Sequence, residues 1–107
     1  MFGKIKIGKT EVEMVANAAT PFWFSQIFAE DFFTEVQTTN DGQTVALFTK
    51  VAFIMAKQAE GADMKKVNEG QFMKWLEGFD PMDFPNAIPN VVDLYMKQTK
   101  ETSKAKN

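Results

Sequence analysis

The chain has 107 residues, 45% of them hydrophobic and 24% charged, with a formal charge of −2, so one domain with a single core is expected and a nucleic-acid binder is disfavoured. No apolar run approaches the ~20 residues of a membrane span, and the first residues do not read as a signal peptide. The sequence holds no Cys, no His and no Arg, which excludes disulfides and thiolate or imidazole metal sites, removes the usual general base, and leaves no guanidinium to clamp phosphate.

Residues 2–15 read as a β-hairpin. Lys4-Ile5-Lys6-Ile7 and Thr10-Glu11-Val12-Glu13-Met14 alternate polar and apolar side chains, the period of a strand. Gly8 supplies the positive φ of a tight turn. Lys4 and Lys6 can then face Glu11 and Glu13 across the pair.

After a connector, Thr20-Pro21 reads as an N-cap followed by Pro at the first helical position. The helix is expected to run to about Val36. A helical wheel of 22–36 gives one stripe of Phe22, Phe28, Ala29, Phe32, Phe33 and Val36. Trp23, Phe24 and Ile27 fall on the other side, so the helix has two apolar faces. The second face needs the hairpin, another helix or another molecule, and Trp23 is either buried under the hairpin or part of a partner surface.

A turn is expected over Thr38 to Gly42, with Asn40-Asp41-Gly42 as breaker. Gln43 to Glu60 is apolar nearly all round, which marks it as the central helix, and Gly61 fits its C-cap. Asn68 with Gln71 three residues on resembles a capping box opening a short helix over Phe72, Trp75 and Leu76. Asp80-Pro81 begins a further turn of helix, with Met82 and Phe84 pointing inward. Pro85 and Pro89 are expected to forbid one long helix, so the last helix is placed at 89–98, with Val91, Val92, Leu94, Tyr95 and Met96 as its apolar side. Residues 1–98 then form the domain, and 99–107 a disordered polar tail. The fold class is α+β, mainly α: an N-terminal β-hairpin packed on a bundle of four to five helices.

Little in this chain can carry chemistry. Glu30 and Asp31 are adjacent and diverge on a helix. Asp80 and Asp83 suit an N-cap and a first-turn carboxylate better than a catalytic pair. Asn40-Asp41-Gly42 is only a fragment of a Ca²⁺ loop, and Gly3 and Gly8 lie in the hairpin rather than in a phosphate loop. Ser25 and Ser103 have no base to activate them. Lys97, Lys100, Lys104 and Lys106 make a mildly basic end without the aromatic residues that a single-strand binder interleaves. No enzyme, catalytic residue, metal or cofactor is expected. The surplus is apolar: 11 Phe and 7 Met. Phe fills cores, and Met adapts to varied partners. The candidate partner-binding residues are Trp23, Phe24 and Ile27, with Tyr95 and Met96 beside them.

The run from Lys4 to Met14, then Asn17-Ala18-Ala19-Thr20-Pro21 and Gln26-Ile27-Phe28 with Asp31, resembles the tail assembly chaperones of long-tailed siphophages and prophages of Gram-positive bacteria. Phe53-Ile54-Met55-Ala56, Trp75-Leu76-Glu77, Pro81-Met82-Asp83-Phe84, Ala87-Ile88-Pro89 and Val92-Asp93-Leu94-Tyr95 match the same pattern. Trp23 stands where a polar or basic residue is commoner. The resemblance spans essentially the whole chain, through fold-bearing segments rather than a catalytic signature. It implies a protein of the host cell cytoplasm that binds the long helical tape measure protein, keeps it soluble, and promotes polymerisation of the tail tube around it. It further implies contact with the tail tube protein through a longer, frameshifted form, and absence from the mature virion. Self-association would help order several copies along one client. Neither nucleic acid nor membrane is an expected partner. A minor structural subunit of the tail, in the tube or the connector, is the alternative.

Overall fold

The computed structural model describes residues 2–38 and 41–105. It is mainly helical, with an N-terminal antiparallel hairpin followed by five α-helices, which is the expected fold class.

Strands β1 (Phe2–Ile7) and β2 (Thr10–Val15) pair with Ile7 opposite Thr10, leaving Gly8-Lys9 as the two-residue turn. Gly8 has φ 65° at the first central position, as a type II′ hairpin turn requires. The register sets Lys4 opposite Glu13 and Lys6 opposite Glu11, as the alternation predicts. The other face carries Ile5, Ile7 and Met14 into the core. Gly3 lies on that inner face opposite Met14, and a Cβ there would stand 3.1 Å from Leu94 Cδ1. The bare glycine lets the last helix close on the hairpin.

The expected helix over 20–36 is two helices, α1 (Thr20–Phe28) and α2 (Phe32–Thr38). Ala29 turns left-handed at φ 56°, and its N–H donates to the Ser25 carbonyl to close α1. Asp31 starts α2, its Oδ2 accepting from the Thr34 N–H at 3.2 Å. Lys50, on the helix that follows, ties down the break through a 2.8 Å ion pair with Glu30. Thr20 is not the cap of α1. Ala19 holds that position, while Thr20 lies inside the first turn, almost fully enclosed.

The central helix, α3 (Asp41–Glu60), buries Leu47, Phe48 and the whole run 51–56. Of the turn expected over 38–42, residues 39 and 40 lie outside the described set, and Asp41 and Gly42 already belong to α3. Gly61 ends the helix at φ 73°, with its N–H on the Gln58 carbonyl and the Ala62 N–H on that of Lys57. This pair of bonds is a Schellman cap. A 3₁₀ turn (Met64–Lys66) follows, capped by the Asp63 carboxylate on the Lys65 N–H. Next comes α4 (Glu69–Leu76), whose cap Asn68 accepts from the Gln71 N–H at 3.0 Å.

The last helix, α5, is continuous over Asp83–Ala105, against the expectation that Pro85 and Pro89 would divide it. Pro85 is its third residue, where the missing N–H would have had no partner inside the helix. Pro89 gives up one bond, and it lies on an exposed side where water can take the freed carbonyl. No Gly or Pro follows as far as Ala105. The backbone of 99–105 therefore continues α5 where a disordered tail was expected, and residues 106 and 107 lie outside the described set. Met82 is exposed rather than inward-facing, while Phe84 is buried as expected.

Most of the Phe surplus is core. Rings pack edge to face or tilted in an unbroken series from Tyr95 through Phe32, Phe24, Phe28, Phe72 and Phe53 to Trp75 and Phe84. Successive centroids are 5.1–5.5 Å apart, and each such pair adds about 0.5–1.5 kcal/mol beyond its area burial.

Candidate functional site

The break at Ala29 sets which face of α1 reaches solvent. Over nine residues the buried positions are Thr20, Phe24 and Phe28, an i, i+4, i+8 row against α3. Phe22, expected in the core stripe, points away from it and is 74% exposed. Phe33, also expected in that stripe, is exposed on α2. Phe24, expected on the outer face, is 0% exposed and packs against Phe28 and Phe32, so it belongs to the core and cannot contact a partner directly.

Trp23 and Ile27 flank the buried row and are half-buried against the core. With Phe22 and Gln26 they form one wall of a groove of ≈ 630 Å³. The 3₁₀ turn forms the other wall, through Met64, Lys65 and the following Val67. The floor and sides are mostly apolar. Lys65 is the one charged residue among those that line it, and among the described residues it makes no ion pair. Trp23 is half-buried against the core, and it lines the groove.

The connector into α1 is fixed by polar bonds rather than by a cap. Thr20 Oγ1 donates to Gln58 Oε1 at 2.8 Å and accepts from the Asn17 N–H at 3.1 Å. The Gln58 amide in turn donates to Asn17 Oδ1 at 3.1 Å. One α3 side chain thereby holds both ends of the connector and sets the position of α1, hence of the groove wall.

Tyr95 and Met96 do not line this groove. Tyr95 stacks on Phe32 at 5.3 Å, and burial raises its phenol above the ordinary range because phenolate loses solvation there. Met96 is 45% exposed on the same helix. Of the five residues expected to bind a partner, then, Trp23 and Ile27 share one site, Tyr95 and Met96 lie elsewhere, and Phe24 is enclosed. The sequence reading missed Phe22 and the 64–67 wall. Asp31 as a second helix cap was the signal that would have reset the wheel and turned Phe22 outward. The far wall is a tertiary contact across some 37 residues, with no local pattern to announce it.

Among the described residues no group of three or more His, Cys, Asp or Glu is placed to hold a metal ion, and no helix is long and apolar enough to cross a membrane. A second groove, between β2 and α3 beside Trp75, is lined by Glu11, Glu13 and Glu60. The chain matches no family model, and no significant match to it is found among curated proteins or solved structures.

Proposed function

We propose that this chain is a tail assembly chaperone of a long-tailed phage or prophage, a binding protein rather than an enzyme. It holds the tape measure protein soluble in the host cytoplasm until tube subunits polymerise around it, and it leaves before the particle is complete. Tube subunits are recruited through a longer, frameshifted form. The whole-chain resemblance set out above supports this reading, and one structural observation carries it. Phe22, a large aromatic side chain, stands 74% exposed beside the half-buried Trp23 and Ile27 on the wall of an apolar groove. A side chain of that size left in water forgoes about 1.5–3 kcal/mol of burial, and clustered apolar exposure of this kind marks a contact surface. A holder of unfinished assemblies needs such a surface, tolerant in what it accepts and weak enough to be displaced.

Co-expression with the tape measure protein of the same phage tests the proposal. The tape measure should stay soluble and co-purify with the wild-type chain, and Phe22→Asp should lose both effects while keeping its thermal midpoint. Mass spectrometry of finished particles should find none of this chain. Stoichiometric presence there would assign it instead to the minor structural subunits of the tail.

A further inference from the structure

We propose that the groove between α1 and the 3₁₀ turn takes an acidic amphipathic helix: about two turns of a partner, with an apolar stripe and a carboxylate on its flank. The inference rests on the chaperone reading for the identity of the client, but the chemistry of the occupant follows from the groove itself.

Its walls are a helix and a 3₁₀ turn, so no strand edge is offered. A peptide laid there in extended form would set its own N–H and C=O groups against Trp23, Ile27, Met64 and Val67 without partners. A helix satisfies those groups internally and presents only side chains. Its length is bounded too. α1 has nine residues, about 13 Å at 1.5 Å per residue, which matches two to three turns of a partner. The α1 wall consists of two adjacent i, i+4 rows, Ala19-Trp23-Ile27 and Phe22-Gln26. A helix packs by setting its own ridge between such rows.

Charge selects among amphipathic helices. The lining contains no carboxylate and one ammonium, Lys65, next to Lys66, which is also exposed. The nearby Asp63 carboxylate accepts the Lys65 backbone N–H as the cap of the turn. An occupant with Asp or Glu beside its apolar stripe is attracted, and one with Lys is repelled. This also disfavours the chain's own last turns, where Lys97, Lys100 and Lys104 outnumber Glu101 and no apolar residue larger than Ala105 follows Met96.

Two synthetic helical peptides of about 18 residues test this, each with Leu at i, i+3, i+4 and i+7, one flanked by Glu and the other by Lys. Titrated into ¹⁵N-labelled full-length chain, the Glu peptide should move the amide signals of 22–27 and 64–67. It should bind about fivefold tighter than the Lys peptide, the scale of a single rim charge pair. Lys65→Glu should reverse the preference, and Phe22→Asp should abolish binding of both peptides. Equal affinities, or shifts confined to other residues, overturn the proposal. So does a concentration-dependent dimer that Phe22→Asp dissolves and the Glu peptide fails to displace, since that gives the groove to a second copy. If the peptides behave as expected but no tape measure protein binds, the groove chemistry stands and the chaperone reading falls. If the tape measure binds while the peptides do not, the reverse holds.

Discussion

Gly8 and Asp83 approach so closely that a Cβ on the turn glycine would lie 2.5 Å from Asp83 Oδ2. The hairpin turn is therefore seated on the first residue of α5, whose carboxylate is held in place by the Asp80 N–H at 2.8 Å. Two independent penalties meet at this position. A left-handed residue other than glycine costs about 1–2 kcal/mol, and forcing a methyl into filled space costs about 1–3 kcal/mol. Gly8→Ala should thus destabilise by roughly 2–5 kcal/mol, read as a fall in the urea midpoint. Adding Asp83→Ala should recover the steric part and leave the conformational part. If Gly8→Ala is neutral, the turn is not seated against Asp83.

Thr20 and Gln58 support a second prediction. Thr20 is 1% exposed, and its hydroxyl serves as donor and acceptor at once. Thr20→Val keeps the shape and removes both bonds, leaving Gln58 Oε1 and the Asn17 N–H without that partner. The expected cost is about 1–3 kcal/mol. Because the two side chains act through one another, Thr20→Val and Gln58→Ala should be non-additive in a double-mutant cycle of chemical denaturation, with a coupling of about 0.5 kcal/mol or more. Additive losses would show that the connector is held by packing alone.

Ala29 is left-handed without being glycine, so a stabilising substitution is available. Ala29→Gly removes a strain of about 1–2 kcal/mol and gives part of it back as unfolded-chain entropy. The net gain should be about 0.5–1 kcal/mol, a rise of a few degrees in Tm. Ala29→Val, with its branched Cβ, should move Tm the other way. If both substitutions lower Tm, the break between α1 and α2 is not strained at this residue.

Ala29 also marks where the sequence could be read and where it could not. The hairpin register, the Gly61 cap and the Asn68 cap were legible because each depends on chemistry within a few residues: alternation, a positive φ, a side-chain acceptor. The end of α1 was not, since neither Gly nor Pro stands at 29–31. Without a visible break the helical wheel ran on to Val36, and its phase was fixed by Phe32 and Phe33, which belong to the next helix. That error exchanged Phe22 with Phe24. α5 departs from its pattern in the opposite sense: its prolines read as stops, although Pro85 falls where no helical donor is needed. Trp23 and Ile27 stand apart from the core row of the wheel under either phase, and both line the groove. The corrected phase separates two neighbouring residues experimentally. Phe24→Ala should cost about 3–5 kcal/mol as a core cavity, whereas Phe22→Ala should stay within about 0.5 kcal/mol.

Tyr95 links the aromatic series to the pH dependence of stability. Burial raises its phenol above the ordinary value of 10.0, because the phenolate is poorly solvated beside Phe32. As pH climbs past 10, the unfolded chain releases this proton before the folded one does. The contribution to stability is therefore complete below pH 10 and is lost as pH rises through the folded value. Lysines titrate in the same range, so the comparison must be with Tyr95→Phe, which keeps the ring against Phe32 and removes the ionisable group. Urea midpoints followed through alkaline pH should fall more steeply for the wild type than for Tyr95→Phe. Parallel curves would mean that the phenol ionises equally freely in both states and that this end of the aromatic series is open to water.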